Sequence, residues 1–270
     1  MGKIISIINQ KGGSGKTTTT TNMAACLTKL GHKVLVVDLD SQCNSTFNLG
    51  CTEYKERPVS ITTLLNSILN KQPIPKKEEY IFRTPEGIDL IPSSSKEEFV
   101  LLADLASQKA AGKYLLRKFL RKEKLQDEYE FILLDNSPSI GSIYQNSILA
   151  STNILIPLRA SAFHFQGMFE LINSVQEMVD DEDLKIDEII LDGVLILDDE
   201  ERTQVSKEIK KQLNDSFQNI HFYKTTIPHS QDIEKTQLLG KVLCNLDIKS
   251  KAKDAYFDFV KEYLYESENE

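Results

Sequence analysis

The segment Lys11-Gly12-Gly13-Ser14-Gly15-Lys16-Thr17-Thr18 decides the fold of this chain. It follows an apolar run at 4–8 and precedes a helical pattern that begins near Lys16. A strand, a glycine-rich loop and a helix in this order form a phosphate-binding loop, in which backbone N–H groups and the helix N-terminus bind the anion. In such a loop Lys16 contacts the β- and γ-phosphates of a nucleotide, and the Thr17 hydroxyl ligates Mg²⁺.

The rest of the chain alternates short apolar runs with longer helical patterns, which predicts one domain over residues 1–270. The expected fold is α/β, a doubly wound and mostly parallel sheet with helices on both faces. Strands are predicted near 4–8, 33–38, 88–92, 130–135, 153–158, 189–196 and 221–226. Helices are predicted near 16–30, 60–71, 96–107, 109–125, 164–179, 202–217 and 250–264. The helical region at about 53–125 is the least regular part.

Three carboxylates stand where predicted strands end. Asp38 and Asp40 follow the second strand, and Asp135 ends the strand near 130–135. Because open α/β sheets bind ligands at the carboxyl ends of their strands, we expect all three acids near the glycine-rich loop. Asp135 is predicted to hold Mg²⁺ as a Walker B acid. Of Asp38 and Asp40, one would support the metal and the other would orient or deprotonate the attacking water.

Composition narrows the class of protein. No run of 18 apolar residues occurs among the 270, and the chain enters a strand at once, so neither a membrane span nor a signal peptide is expected. The four cysteines show no C-x-x-C spacing and indicate reduced cytosolic thiols; they are Cys26, Cys43, Cys51 and Cys244. The net charge of −8 argues against nucleic acid coating the whole surface but allows a local patch.

Lys11 makes the loop more specific than a generic Walker A motif, because Gln10 stands where that motif has its first glycine. The form K-G-G-x-G-K-T-T resembles the deviant Walker A box of the superfamily that includes ParA (Soj), MinD and nitrogenase iron protein. The segment 38–44 is similar to the ParA motif D-x-D-P-Q-G-N, with Ser41 for proline and Cys43 for glycine. The segment 129–139 resembles Y-D-x-I-x-x-D-x-P-P-S, with Ser137 for the first proline. The resemblance covers nearly the whole chain and is weakest across 53–125.

The resemblance to ParA implies a Mg²⁺-dependent ATPase of the bacterial cytoplasm that segregates plasmid or chromosomal DNA. It implies that ATP closes a homodimer, that the dimer binds DNA non-specifically on the nucleoid, and that a ParB-like centromere-binding protein stimulates hydrolysis. Lys11 would reach the partner subunit's phosphates, Asp40 would position the water, and Thr17, Asp38 and Asp135 would serve the metal. The implied nucleotide-binding residues are Lys11, Gly12, Gly13, Ser14, Gly15, Lys16, Thr17, Thr18 and Pro228.

Charge is unevenly distributed along the chain. Residues 202–253 carry ten Lys or Arg against five acids, whereas 177–201 carry twelve acids and one lysine. We therefore predict that the basic part binds DNA through phosphate contacts, and the assigned residues are Arg202, Lys207, Lys211 and Lys241. The family often has arginine where this chain has His229, and a neutral imidazole is a poor partner for phosphate.

A second basic run, at Lys109, Lys113, Arg117 and Arg121, repeats every four residues as one stripe of a predicted helix. The stripe is compatible with a solvated face and equally with a second DNA contact.

Other functions in the superfamily fit less well. A MinD-like positioning ATPase at a membrane is the alternative, but the acidic end 266–270 disfavours it, and no stable membrane association is expected. A nitrogenase-like electron carrier needs paired cysteines at a cluster, and Cys43 and Cys51 match no such motif. A bacterial tyrosine kinase would use tyrosines such as Tyr263 and Tyr265, which on an amphipathic helix are more typical of packing. The sequence leaves open the cargo and the identity of the partner.

Overall fold

The computed structural model describes residues 1–51, 59–139, 141–159, 162–180, 189–198 and 220–269. Strands in this part of the chain are β1 (Lys3–Ile7), β2 (Val34–Leu39), β3 (Phe82–Arg83), β4 (Asp89–Ile91), β5 (Phe131–Asn136), β6 (Asn153–Arg159) and β7 (Ile190–Leu197). They form one sheet in the order β3-β4-β2-β5-β1-β6-β7. Neighbouring strands are parallel except β3 and β4, which are antiparallel at the edge. The predicted doubly wound, mostly parallel α/β sheet is confirmed.

Helices connect these strands and cover the sheet. They are α1 (Lys16–Lys29), α2 (Asn44–Asn48), α3 (Ile61–Leu69), α4 (Lys77–Tyr80), α5 (Lys96–Ser107), α6 (Leu115–Lys122), α7 (Leu125–Glu128), α8 (Ser142–Ala150), α9 (Ala162–Asp180), α10 (Gln231–Leu238) and α11 (Lys251–Asn269). Short 3₁₀ helices occupy Ala110–Tyr114 and Leu243–Asn245. None of these helices is long and apolar enough to cross a membrane.

Apolar layers lie on both faces of the sheet because side chains alternate along each strand. Ile5 and Ile7 of β1 pack with α1 and α11 on one face, whereas Ile4 packs with α3, α5 and α6 on the other. Helix α1 is buried along nearly all its length, since α11 covers the side that the sheet does not. The glycine-rich loop is therefore attached to a helix that is held from two sides.

Strand register brings the predicted site residues to one edge of the sheet. Strand β5 lies between β1 and β2. Asp135 of β5 is paired with Ile7 of β1 on one side and with Asp38 of β2 on the other. The loop that follows β1 and the acidic segment that follows β2 consequently meet on either side of Asp135.

The strand predicted at 221–226 was wrong. This segment makes only isolated parallel bridges, from Phe222 to Val194 and from Ile227 to Leu197. Two of its backbone donors are bound by a side chain instead: Glu262 of α11 accepts from the N–H groups of Lys224 and Thr225 at 2.7 and 2.9 Å. A side chain of the last helix thus replaces part of a strand ladder.

The single helix predicted at 109–125 was also wrong, because the α-helical part begins only at Leu115. The Lys109 ammonium group is bound to the end of α3, at 3.4 Å from the Leu69 carbonyl oxygen. The predicted basic stripe is therefore interrupted, and only Arg117 and Arg121 share α6. Helix α8 was missed, and the helix predicted at 202–217 lies outside the described residues.

Candidate nucleotide-binding site

The glycine-rich loop has a backbone shape that requires glycine at two of its positions. Gly13 and Gly15 have φ angles of +71° and +90°, in the left-handed region that other residues rarely adopt. A Cβ atom on Gly15 would lie 2.2 Å from Leu197 Cδ1 of β7. Gly12 has no atom within 4 Å of such a Cβ and no positive φ, so its side faces open space.

Lys16 is enclosed by the loop that precedes it. Its side chain is buried, and its Nζ donates to the carbonyl oxygen of Lys11 at 3.3 Å and to Ser14 Oγ at 3.5 Å. Burial lowers the pKa of Lys16, and the nearby carboxylates of Asp135 and Asp40 partly oppose that shift. The ammonium group thus lies inside the anion cradle, with two acids in electrostatic reach.

Asp135 is fully buried and is surrounded by hydroxyl groups. Thr17 Oγ1 and Ser45 Oγ donate to its Oδ2 at 2.8 and 2.7 Å, and Thr20 Oγ1 donates to Oδ1 at 3.3 Å. Burial raises the pKa of Asp135 to about 6, and the charge of Asp40 acts in the same direction. The hydrogen bonds from Ser45 and Thr17 favour the ionised form and limit the rise.

Asp38 and Asp40 have different environments despite their spacing of two. Asp38 is fully buried, and its Oδ2 accepts from the N–H and the Oγ1 of Thr46 at 2.8 and 2.7 Å. Burial and the charge of Asp135 raise the pKa of Asp38 to about 8. Asp40 keeps 7% of its surface exposed, and its Oδ1 accepts from the N–H of Gln42 at 3.0 Å. Asp40 is therefore better placed than Asp38 to meet a water molecule.

Cys43, which replaces the glycine of the ParA motif, lies in a left-handed backbone conformation. Cys43 has φ +56° at the start of α2, in the left-handed region where the glycine of that motif is unstrained. Its thiol donates to the carbonyl oxygen of Ser94 at 3.3 Å. Its N–H donates to the backbone carbonyl oxygen of Asp40 at 2.9 Å. The substitution thus keeps the turn and anchors it.

The oxygen atoms around Asp135 fit a hard divalent cation. A hydroxyl group and a carboxylate, together with phosphate oxygens and water, are the ligands that Mg²⁺ takes at phosphate sites. The described residues contain no group of three His, Cys, Asp or Glu that could hold a metal ion alone. Thr17 and Asp135 offer one hydroxyl and one carboxylate of this kind side by side, which fits a cation shared with a nucleotide. Asp38, whose oxygens face Thr46 and Asp40, lies behind this pair.

Other predicted site residues lie at the mouth of the loop or outside the described chain. The Lys11 side chain is exposed, and its N–H donates to Asn9 Oδ1 at 2.9 Å. Thr18 accepts at Oγ1 from Gln237 Nε2 of α10 at 2.6 Å. Pro228 is half-buried and follows Ile227, which bridges to Leu197 beside the loop. Lys241 is exposed. The predicted DNA contacts Arg202, Lys207 and Lys211 are not among the described residues.

Sequence reasoning missed four polar residues that shape the site, namely Thr20, Ser45, Thr46 and Gln237. Ser45 and Thr46 directly follow the acidic motif, and two adjacent hydroxyl residues at the start of a helix were the available signal. Thr20 lies one helical turn after Lys16, which places it on the face of Asp135. Nothing local in the sequence distinguishes Gln237.

Comparison with known proteins gives concordant matches. Residues 2–187 match a protein-family model described as an AAA domain. The chain is 32% identical to the sporulation initiation inhibitor protein Soj of Bacillus subtilis, over 97% of this chain and 98% of that protein. It is 25% identical to the chromosome partitioning protein ParA of Caulobacter vibrioides, over 97% and 94% of the two chains.

Among solved structures, a similar one is cobyrinic acid a,c-diamide synthase from Mycobacterium smegmatis with bound ADP and magnesium. Its TM-score is 0.81 and its sequence identity 25%, with 99% of this chain and 96% of that chain covered.

Proposed function

The chain belongs to the family of ParA/MinD-type P-loop ATPases, and on that basis we propose that it is a DNA-partition ATPase whose ATP-bound dimer binds DNA. Hydrolysis of ATP with Mg²⁺ is the activity of the family. The observation that carries the finer proposal is the similarity to Soj, which extends over 97% of this chain at 32% identity. A match of that extent includes the segments that follow the nucleotide site.

Within one subunit the residues divide into binding and catalytic roles. The N–H groups of 12–16 and the ammonium group of Lys16 bind the phosphates. Thr17 and Asp135 hold Mg²⁺, which supplies charge neutralisation of the phosphates when bound. Asp40, the most accessible of the three acids, orients the attacking water. Asp38 fixes the start of α2 through Thr46 and so supports the acidic segment.

DNA binding is assigned to the basic carboxy-terminal part, through Arg202, Lys207, Lys211 and the exposed Lys241. His229 contributes less than an arginine would, because its Nδ1 lies 3.5 Å from Asp198 Oδ1, and Arg159 is paired with the same carboxylate. A ParB-like partner that stimulates hydrolysis on a cytoplasmic nucleoid completes the proposed cycle. Helix α10 connects this region to the glycine-rich loop, because Gln237 donates to Thr18.

The test is a salt titration of DNA binding with and without ATP, using DNA of unrelated sequences. We expect tight binding only with ATP, equal affinity for all sequences and a steep dependence on salt. Lys241→Glu and Arg202→Glu should each weaken binding to every sequence and lower the salt slope by about 1. Arg121→Glu reverses a charge of the same sign on α6; unchanged DNA binding in that variant would assign the contact to the carboxy-terminal part rather than to the interrupted stripe. Equal affinity with and without ATP would contradict the proposed switch, and binding to anionic vesicles in place of DNA would favour a positioning ATPase.

A further inference from the structure

Ser45 occupies a position that no role assigned above requires. It is wholly buried, as is Asp135, and its hydroxyl donates to the same carboxylate oxygen as Thr17, at 2.7 Å. Thr17 and Thr20 approach Asp135 from α1, whereas Ser45 approaches from α2. Ser45 thus connects Asp135 to the helix that directly follows the acidic motif.

Helix α2 is also fixed to the residues that surround Asp40. Thr46, the neighbour of Ser45, donates twice to Asp38 and accepts from the N–H of Ser93 at 3.0 Å. Ser93 Oγ in turn donates to the carbonyl oxygen of Asp40 at 2.6 Å. The backbone of Asp40 is therefore held between α2 and the segment after β4. A short path thus leads from Asp135 to Asp40: Ser45 is hydrogen-bonded to Asp135, its chain neighbour Thr46 to Ser93, and Ser93 to the carbonyl oxygen of Asp40.

We propose that Ser45 is a positioning residue that fixes Asp135 for the metal and sets the distance between the metal and the Asp40 segment. The inference rests on the proposed assignment of Asp135 to Mg²⁺. Ser45 would hold that carboxylate from α2, independently of the hydroxyl of Thr17, which would also ligate the cation. A buried carboxylate that loses such a donor has more freedom to rotate and binds the cation less well.

The experiment measures the affinity of the full chain for a fluorescent ATP analogue as Mg²⁺ is varied, with EDTA as the metal-free reference. Ser45→Ala should require roughly 10- to 100-fold more Mg²⁺ for the half-maximal effect, the usual cost of losing a partner of a metal ligand. Its affinity for the analogue in EDTA should equal that of the wild type. Ser45→Thr, which keeps the hydroxyl, should restore the Mg²⁺ requirement.

A matched control is Ser147→Ala. Ser147 lies on α8 and is also wholly buried, but its hydroxyl is hydrogen-bonded to that of Ser6 on β1 at 2.7 Å. It should keep the wild-type Mg²⁺ requirement. Ser45→Cys, nearly isosteric and a weak donor, replaces Ser45→Ala if that variant does not fold. A purely structural role would weaken analogue binding equally with and without Mg²⁺, and this result would overturn the inference.

Turnover supplies the second readout. At saturating Mg²⁺, Ser45→Ala should still hydrolyse ATP about tenfold more slowly than the wild type, because the Asp40 segment is no longer fixed relative to Asp135. Full recovery of turnover would reject the link to Asp40. Asp135→Asn separates the two levels of the proposal. If that variant keeps the wild-type Mg²⁺ requirement, the metal assignment itself is wrong. If it needs far more Mg²⁺ than the wild type while Ser45→Ala does not, only the role of Ser45 is wrong.

Discussion

The site concentrates more negative than positive charge in a buried space. Asp38 and Asp135 are fully buried and Asp40 nearly so, and Lys16 is the cation that reaches two of them electrostatically. Carboxylates that share so small a volume raise one another's pKa, in addition to the effect of burial. A divalent cation placed at Thr17 and Asp135 removes this imbalance. The residues are therefore arranged for a metal–nucleotide pair.

Asp40→Ala is expected to abolish turnover while leaving ATP binding largely unchanged. A carboxylate that orients water acts on the transition state more than on the bound ground state. Single-turnover hydrolysis and equilibrium binding of ATP measure the two effects separately. Lys16→Ala is the contrasting variant and should lose ATP binding itself, because it removes the cation inside the cradle. Turnover near the wild-type rate in Asp40→Ala would make Asp40 an ordinary loop acid.

Asp38 should make the nucleotide-free protein less stable as pH rises. Its folded pKa of about 8 exceeds the ordinary value of about 4 for an aspartate. The contribution to stability is therefore complete below that ordinary pKa and is lost as pH rises through about 8. Between pH 6.5 and 8, above the pKa of about 6 for Asp135, Asp38 dominates this loss.

Urea unfolding of the nucleotide-free chain at several pH values tests this expectation. The free energy of unfolding should fall by up to about 1.4 kcal/mol per pH unit for the one proton involved. Asp38→Asn, which cannot ionise, should have a free energy of unfolding that varies less with pH over this range. Equal slopes for the two proteins would show that Asp38 is ionised throughout.

At this scale the sequence predicted the charged residues of the site and missed their hydroxyl partners. Lys16, Asp40 and Asp135 lie in motifs whose spacing fixes their place after known strands. Ser45 and Thr46 belong to residue types that occur everywhere, and only the packing of α2 against β5 and β2 selects them. The same packing turned Asp38 toward Thr46, which its position in the motif did not reveal.

Among the elements, the junction between the loop and α1 combines a left-handed backbone with a close approach of β7 at Gly15. Gly15→Ala should lower the free energy of unfolding by about 1–2 kcal/mol from the left-handed backbone alone. The contact of the new Cβ with Leu197 adds to that cost, because its nearest atom lies at 2.2 Å. Urea unfolding without nucleotide gives the measurement. Gly12→Ala is the matched control and should change stability by less than about 0.5 kcal/mol; equal losses in both variants would remove the special role of Gly15.

The elements that sequence predicted well are those with a single clear period. Buried parallel strands appear as continuous apolar runs, so β1, β2, β5, β6 and β7 were each found within one residue of their observed bounds. Helix α8 was missed because most of its residues are buried, which removes the polar face that marks a helix. The segment 221–226 has the composition of a strand, but Glu262, 38 and 37 residues away along the chain, binds the N–H groups of Lys224 and Thr225. Such distant contacts have no local signal.

For the whole molecule, the position of Lys11 bears on the proposed dimer. Its backbone is fixed within the loop, because its N–H donates to Asn9 and its carbonyl oxygen accepts from Lys16. Its side chain is exposed at the mouth of that loop. A second cation beside Lys16 is unfavourable within one subunit until phosphates are present. Across a closed dimer, the same cation can approach the phosphates bound by the partner.

We therefore expect Lys11→Ala to bind ATP as a monomer, because Lys16 and the loop N–H groups remain in place. It should lose ATP-induced dimerisation, stimulated hydrolysis and tight DNA binding together, since all three depend on the closed dimer and on the charge that Lys11 adds at the transferred phosphate. Sedimentation with ATP and Mg²⁺, paired with ATPase assays, is the measurement. Lys122→Ala removes an exposed lysine from α6 and should behave as the wild type. A Lys11→Ala protein that forms a normal dimer and hydrolyses ATP at the normal rate would reject both the trans-acting lysine and the dimer built around it.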